Sequence, residues 1–139
     1  MQEGSSKEEM ERLLYLQGLY SKEYEAVMNE IASLSMAQAA LARNTELLKQ
    51  KDRLDNSKIL ISGGGGTYID ASIKGIDRVL AYVGAGYLVE KDVEGAKELL
   101  RKSSDAGNEA LKKLNDDRRK LEKEITSIQF AMDSMQQGQ

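Results

Sequence analysis

The 139 residues carry 20 basic and 23 acidic side chains, a net charge of −3, with few aromatics and no Pro, Cys, His or Trp. Zero Cys excludes a disulfide framework and thiolate metal sites, and zero His removes the commonest general base and zinc ligand, so most hydrolytic chemistries lose their parts and no cofactor is expected. Apolar stretches fall well short of the roughly 20 residues that span a bilayer, and the start is polar rather than signal-like, which points to a soluble, cytoplasmic protein without a membrane partner.

Three segments are expected: 1–57, 58–90 and 91–139. In the first, a seven-residue template places Leu13, Tyr20, Val27, Leu34, Leu41 and Leu48 at one seam position and Met10, Tyr24 and Ile31 at the other, interrupted by Gln17, Gln38 and Thr45. A seam of this kind predicts a helix packed along its length against another helix. Ser5 to Glu8 and Ser6 to Glu9 have capping-box spacing, so the helix is expected to begin near Ser6.

In the second segment the period changes. Runs over 58–62, 67–73, 78–83 and 87–90 are rich in Ile, Val, Leu and Tyr and are separated by glycine-bearing breaks, which predicts four strands in two hairpins with Gly64, Gly66, Gly84 and Gly86 at the turns. An offset of 20 aligns Leu60 with Leu80, Gly64 with Gly84, Gly66 with Gly86, Ile69 with Val89 and Asp70 with Glu90, so the module reads as an internal duplication. Two hairpins without a covering layer leave open strand edges and apolar faces, which calls for hairpins from sister chains to close them into barrel-like sheets. Leu60, Ile61, Tyr68, Ile69, Leu80, Tyr82, Leu88 and Val89 are the candidate oligomerisation residues. For any one of them, burial within its own module is an equal alternative.

The third segment repeats the seam: Val93, Leu100, Leu114, Leu121, Ile128 and Met135, with Leu111, Ile125 and Met132 at companion positions. Gly107 falls on the seam, where glycine costs on the order of 1 kcal/mol relative to alanine and marks an expected soft spot. The fold class is therefore mainly α with a small β module: a long antiparallel two-helix coiled coil joined by two β-hairpins. Each helix of about 45 residues would form an arm of roughly 65 to 70 Å.

The order of helix, two Gly-X-Gly hairpins and returning helix resembles the α class of archaeal prefoldin subunits. The resemblance is carried by Gly64-Gly65-Gly66-Thr67-Tyr68-Ile69-Asp70-Ala71 and by the run from Val79-Leu80-Ala81-Tyr82-Val83 through Gly84-Ala85-Gly86 to Tyr87-Leu88-Val89-Glu90-Lys91. Two hairpins look like the α class, since the β class has one; the four-glycine run departs from the usual leaner turn. The resemblance implies a hexamer of two α and four β-class subunits, with a β-barrel platform and six coiled-coil tentacles. It further implies ATP-independent capture of non-native polypeptides at the tips, delivery to a group II chaperonin, and no catalytic residue.

At such a tip the helices can fray and expose seam residues, so the candidate client contacts are Met10, Leu13 and Leu14 on the first helix and Ile128, Phe130, Met132 and Met135 on the second. Ordinary coiled-coil packing is the competing reading for each. Flexible, polarizable Met adapts to varied surfaces. Gly63 to Gly66 lacks the Gly-Lys-Ser/Thr of a phosphate loop and leads into a strand rather than a helix N-terminus. Asp116 and Asp117 point apart on a helix, away from any acid–base pairing. Arg118, Arg119, Lys120 and Lys123 are interleaved with acids and read as a solvated face rather than a nucleic-acid patch. An architectural coiled-coil adaptor remains the alternative function.

Overall fold

With no proline and with apolar residues spaced three and four apart, nothing in the first segment interrupts a helix. In the computed structural model, which describes residues 2–138 and side chains from residue 4 onward, α1 runs unbroken over Gln2–Lys49. It is followed by a single turn, α2 (Lys51–Leu54), the strands β1 (Lys58–Gly64), β2 (Thr67–Ser72), β3 (Arg78–Gly84) and β4 (Tyr87–Asp92), and the helix α3 (Val93–Gln137). Ser5 and Ser6 lie inside α1 rather than at its start. The carboxylate that a capping box would turn back is engaged forward instead, with Glu9 Oε1 2.7 Å from Arg12 Nη2. Hydrogen bonding from that guanidinium holds the Glu9 carboxyl below its ordinary range, and Arg101 does the same for Glu98. The contribution of each pair is present above the ordinary carboxylate pKa and fades as pH falls through the lowered value.

By packing, the chain forms two compact units, one from the chain up to Ala37 and from Gly107 onward, the other from Gln38–Ala106. In the first, Leu13, Leu121 and Ile128 are buried, and Tyr20, Val27, Leu34, Leu111, Leu114 and Ile125 are half-buried, all on the expected seams. A polar tie crosses between the helices: Tyr24 Oη donates to Glu122 Oε1 at 3.2 Å, and Arg118 Nη1 donates to the same oxygen at 2.9 Å. The helices are antiparallel because position 24 meets position 122.

In the second unit the buried cluster is Leu48, Val93 and Ala96, against which Ile76, Val79 and Leu100 pack. Gln38, one of the polar interruptions of the seam, donates from Nε2 to the Ser104 carbonyl at 2.9 Å, so the interruption is turned to a cross-helix bond. Thr45 bonds back to the Leu41 carbonyl at 2.8 Å. Gly107 is buried, and α3 passes through it without a break. The start of α3 is capped by Asp92, whose Oδ1 accepts the Gly95 N–H at 2.7 Å. A Cβ at Gly95 would stand 2.7 Å from that oxygen, so a larger residue there would require the Asp92 carboxylate to shift.

The turn α2 and the segment after it redirect the chain from helix to sheet. Asn56 takes a left-handed φ of 63°, its N–H reaches the Ile73 carbonyl at 2.7 Å, and Ile73 returns a bond to the Ser57 carbonyl at 2.9 Å. Asp55 Oδ1 accepts the Ile76 N–H at 2.9 Å and so anchors the link between the hairpins.

β1 pairs with β2, and β3 with β4, as two separate antiparallel sheets. The registers are related by the offset of 20: Lys58 faces Ser72 and Arg78 faces Asp92, Ser62 faces Tyr68 and Tyr82 faces Leu88, and each ladder shifts just before Gly64 or Gly84. Both turns carry positive φ at both central residues, at Gly65 and Gly66 in one and at Ala85 (52°) and Gly86 (80°) in the other. That is the mirror-image turn whose twist matches paired strands. Gly64 and Gly84, at the strand ends, also have positive φ. The extra glycine of the first turn thus occupies the place of Ala85 and leaves the register unchanged. A left-handed alanine is strained, so Ala85→Gly is expected to stabilise the second hairpin by up to about 1 kcal/mol, read as a rise in the urea midpoint.

Exposed apolar surfaces as the candidate functional site

The alternation of side chains along a strand decides what each hairpin can offer. On the second hairpin Val79 and Ala81 turn toward the helices and are half-buried, while Leu80, Tyr82 and Leu88 stand exposed on the opposite face. Arg78 Nη1 lies 2.6 Å from Glu90 Oε1 and frames that face with charge. The first hairpin has less cover. Only Ile59 and Ala71 are half-buried, and Leu60 and Tyr68 on one face and Ile61 and Ile69 on the other are exposed. The comparison of equivalent positions is informative: Ile61 and Ile69 stand where the second hairpin has Ala81 and Val89. Ala81 is half-buried beside the helices, whereas Ile61 and Ile69 are exposed.

All eight candidate oligomerisation residues are exposed in the single chain, with Leu80 at 66 % and Val89 at 38 % as examples of the range. Val83 and Tyr87 are exposed beside them and were missed by the sequence pattern, which treated them as strand ends. Behind β3 an apolar cavity of about 400 Å³ opens toward α1 and α3, lined among others by Leu41, Leu47, Leu100, Val79 and Ala81. Exposed apolar side chains gathered on two hairpins of a single chain mark a candidate interaction site.

The candidate client contacts separate into two groups. Leu13 and Ile128 are each only 6 % exposed, so they are core of the helix pair and are closed to a ligand while the helices stay together. Met10, Met132 and Met135 are half-buried along the same seam. Leu14 and Phe130 are open, Phe130 at 73 %. Two further exposed residues near them, Tyr15 and Leu19, lie outside the seven-residue template. The signal that could have found them is their spacing of four, which puts both on one outward strip of α1.

The basic residues of α3 are balanced locally: Arg119 pairs with Asp116 at 2.8 Å and Arg118 with Glu122 at 2.9 Å. Among the described residues no helix is long and apolar enough to cross a membrane, and no acidic cluster is arranged to hold a metal.

Comparison with known proteins places this arrangement. The family model described as "Prefoldin subunit" matches residues 20–138. Prefoldin subunit alpha of Pyrococcus horikoshii is 26 % identical over 136 residues, covering 96 % of this chain and 92 % of that protein. Prefoldin subunit alpha of Methanosarcina mazei is 24 % identical over 136 residues, covering 95 % and 96 %. A cryo-EM structure of filamentous PFD from Methanocaldococcus jannaschii shares the fold, with a TM-score of 0.55 at 21 % identity over 87 % of this chain and 95 % of that one. With two hairpins set between long antiparallel helices and a family match over most of its length, the chain belongs to the prefoldin subunit family, with the archaeal α class as its kin.

Proposed function

We propose that this chain is a subunit of an ATP-independent holding chaperone that captures unfolded or nascent polypeptides on its helical arms and passes them to a group II chaperonin in the cytoplasm. The observation that carries the reading is the exposure of both hairpins. Leu60, Ile61, Tyr68, Ile69, Leu80, Tyr82, Leu88 and Val89 all face solvent in the lone chain, on strands that each keep one unpaired edge. Strand edges with apolar faces are not left open in a stable soluble molecule. Hairpins of sister subunits supply the missing pairing and close the sheets into an intersubunit barrel. The family relationship favours an assembly of two such chains with four β-class subunits, an arrangement in which six arms surround a cavity.

The family is one of chaperones rather than enzymes, and the surfaces found here suit binding. Holding without ATP requires weak, adaptable contacts, which methionines and exposed aromatics provide. The filamentous assembly of the Methanocaldococcus jannaschii relative favours a second arrangement, repeated association through the same hairpins, since each sheet has two open edges.

The test is light scattering of the chain alone and mixed with a β-class subunit, followed by ATP-free suppression of aggregation of a denatured test protein. A mixed hexamer that suppresses aggregation is the expected result. A stable lone assembly without holding activity would support an architectural adaptor instead.

A further inference from the structure

The chain has no cysteine, so its sulfur chemistry rests on six methionines. Of those whose side chains are described, Met28 and Met36 lie off the seam and are 39 % and 75 % exposed. The other three, Met10, Met132 and Met135, are half-buried on the seam itself. Antiparallel packing brings them to one end of the helix pair. Met10 precedes Tyr24 by fourteen residues and Met135 follows Glu122 by thirteen, so both stand about 20 Å beyond the Tyr24–Glu122 bond. Met132 lies one turn nearer, close to the level of Leu13. Every other apolar template position on the two seams holds Leu, Ile, Val or Tyr. Packing alone does not favour the change of chemistry at this end, since Leu fills a coiled-coil seam with fewer rotamers to freeze than the unbranched thioether.

We propose that Met10, Met132 and Met135 are a reversible oxidation site: a hydroperoxide converts these thioethers to sulfoxides, and the helix pair then opens at that end. The inference goes beyond the holding-chaperone reading and does not depend on it. In the reaction the thioether sulfur attacks one peroxide oxygen and the S–O bond forms as the O–O bond breaks. The departing hydroxide takes up the proton of the transferred oxygen and leaves as water. Sulfur loses two electrons and the peroxide gains them. The product replaces a flexible apolar side chain with one that carries a strong hydrogen-bond acceptor. The side chains of Leu13 and Ile128, each only 6 % exposed on the same seam, offer no donor. A sulfoxide oxygen held among such groups is unsatisfied, which is costly, and it gains water only when the helices part. Parting uncovers Leu13 and Ile128. Exposure sets the order of reaction: Met36 is oxidised first, off the seam and without consequence, and the seam methionines follow as that end of the pair breathes. Methionine sulfoxide reductases return the thioether at the expense of a thiol pair, which leaves as a disulfide.

The test compares the full parent chain with the triple variant Met10→Leu, Met132→Leu, Met135→Leu, a volume-conserving change that keeps Met1, Met28 and Met36 as oxidisable controls. Both are treated with graded hydrogen peroxide, mapped by peptide mass, melted by circular dichroism and titrated with the apolar-surface dye ANS. Oxidation confined to Met28 and Met36 is expected to leave both midpoints in place. Oxidation of Met10, Met132 and Met135 in the parent is expected to lower its midpoint by about 5 to 10 °C and to raise dye fluorescence about threefold. Methionine sulfoxide reductases A and B with dithiothreitol are expected to restore both readings. The triple variant, oxidised to completion at its remaining methionines, is expected to keep its midpoint. An equal fall in the triple variant would show that oxidation acts elsewhere and would overturn the proposal. So would a parent fully oxidised at the three seam positions with midpoint and dye binding unchanged, or seam methionines that resist peroxide while Met28 and Met36 react. None of these readouts involves a client, so the chaperone reading is judged separately, by suppression of aggregation.

Discussion

Leu80→Asp is expected to leave both long helices folded and to abolish assembly. Leu80 is exposed in the single chain, so an aspartate there costs the isolated fold little, and the helical signal in circular dichroism should match that of the parent. In the proposed assembly the same position would become part of a buried sheet face. Loss of a leucine contact removes about 1.5 to 3 kcal/mol, and an unpaired carboxylate left among apolar groups adds a desolvation cost of several more. A total of about 4 kcal/mol or greater corresponds to a 10³-fold weaker association. Mass by light scattering should therefore fall to that of the lone chain at micromolar concentration. A normal mass would show that Leu80 lies outside the interface, and that the open face of the second hairpin is not the assembling surface. The equivalent change on the first hairpin, at Leu60, is the internal comparison, because the duplication places the two leucines in the same register.

Leu48→Ala is expected to be the most damaging truncation within the chain itself. Leu48 is buried with Val93 and Ala96, and Ile76, Val79 and Leu100 pack on that cluster, so one side chain joins α1, α3, the inter-hairpin link and β3. Truncation of a buried leucine costs about 2 to 5 kcal/mol, the upper part of the range applying where neighbours cannot close the gap. Here the neighbours sit on three different elements, α3, the inter-hairpin link and β3, which limits collapse. For a domain of this size, about 3 kcal/mol lowers the thermal midpoint by roughly 10 °C. Met36→Ala, at a side chain that is 75 % exposed on the same helix, should change the midpoint by less than about 2 °C. Similar losses for the two variants would mean that the cluster is not the core of this unit.

The helical seams were legible because heptad spacing is a one-dimensional consequence of a two-helix contact. Every apolar residue on the template, from Met10 and Leu13 to Met132 and Met135, is buried or half-buried. The hairpins were legible for a related reason: strand register depends on local turn chemistry, and glycines at positive φ mark the turns directly. The register itself came only with the structure, where the two ladders prove related by the same offset of 20 despite the four-glycine run. The first-turn capping signal misled because Glu9 had a competing partner in Arg12, one turn further along the helix. The single turn α2 escaped notice because four residues are too few to show a period, and the Asp92 cap because it stands at the end of a strand run.

What the amino-acid order determined by itself was the two long helices with their seams, the four strands and the glycines of their turns, since each rests on spacing within a few neighbouring residues. Only the tertiary structure decided which apolar residues remain available. Leu13 and Leu14, adjacent in sequence, end on opposite sides of that division, as do Ala81 and Tyr82 on β3. The same holds for Ile61 and Ala81, equivalent in the duplication but differently covered. Hydrophobicity is a property of a side chain, whereas exposure depends on the elements that fold over it, and those come from parts of the chain far away in sequence.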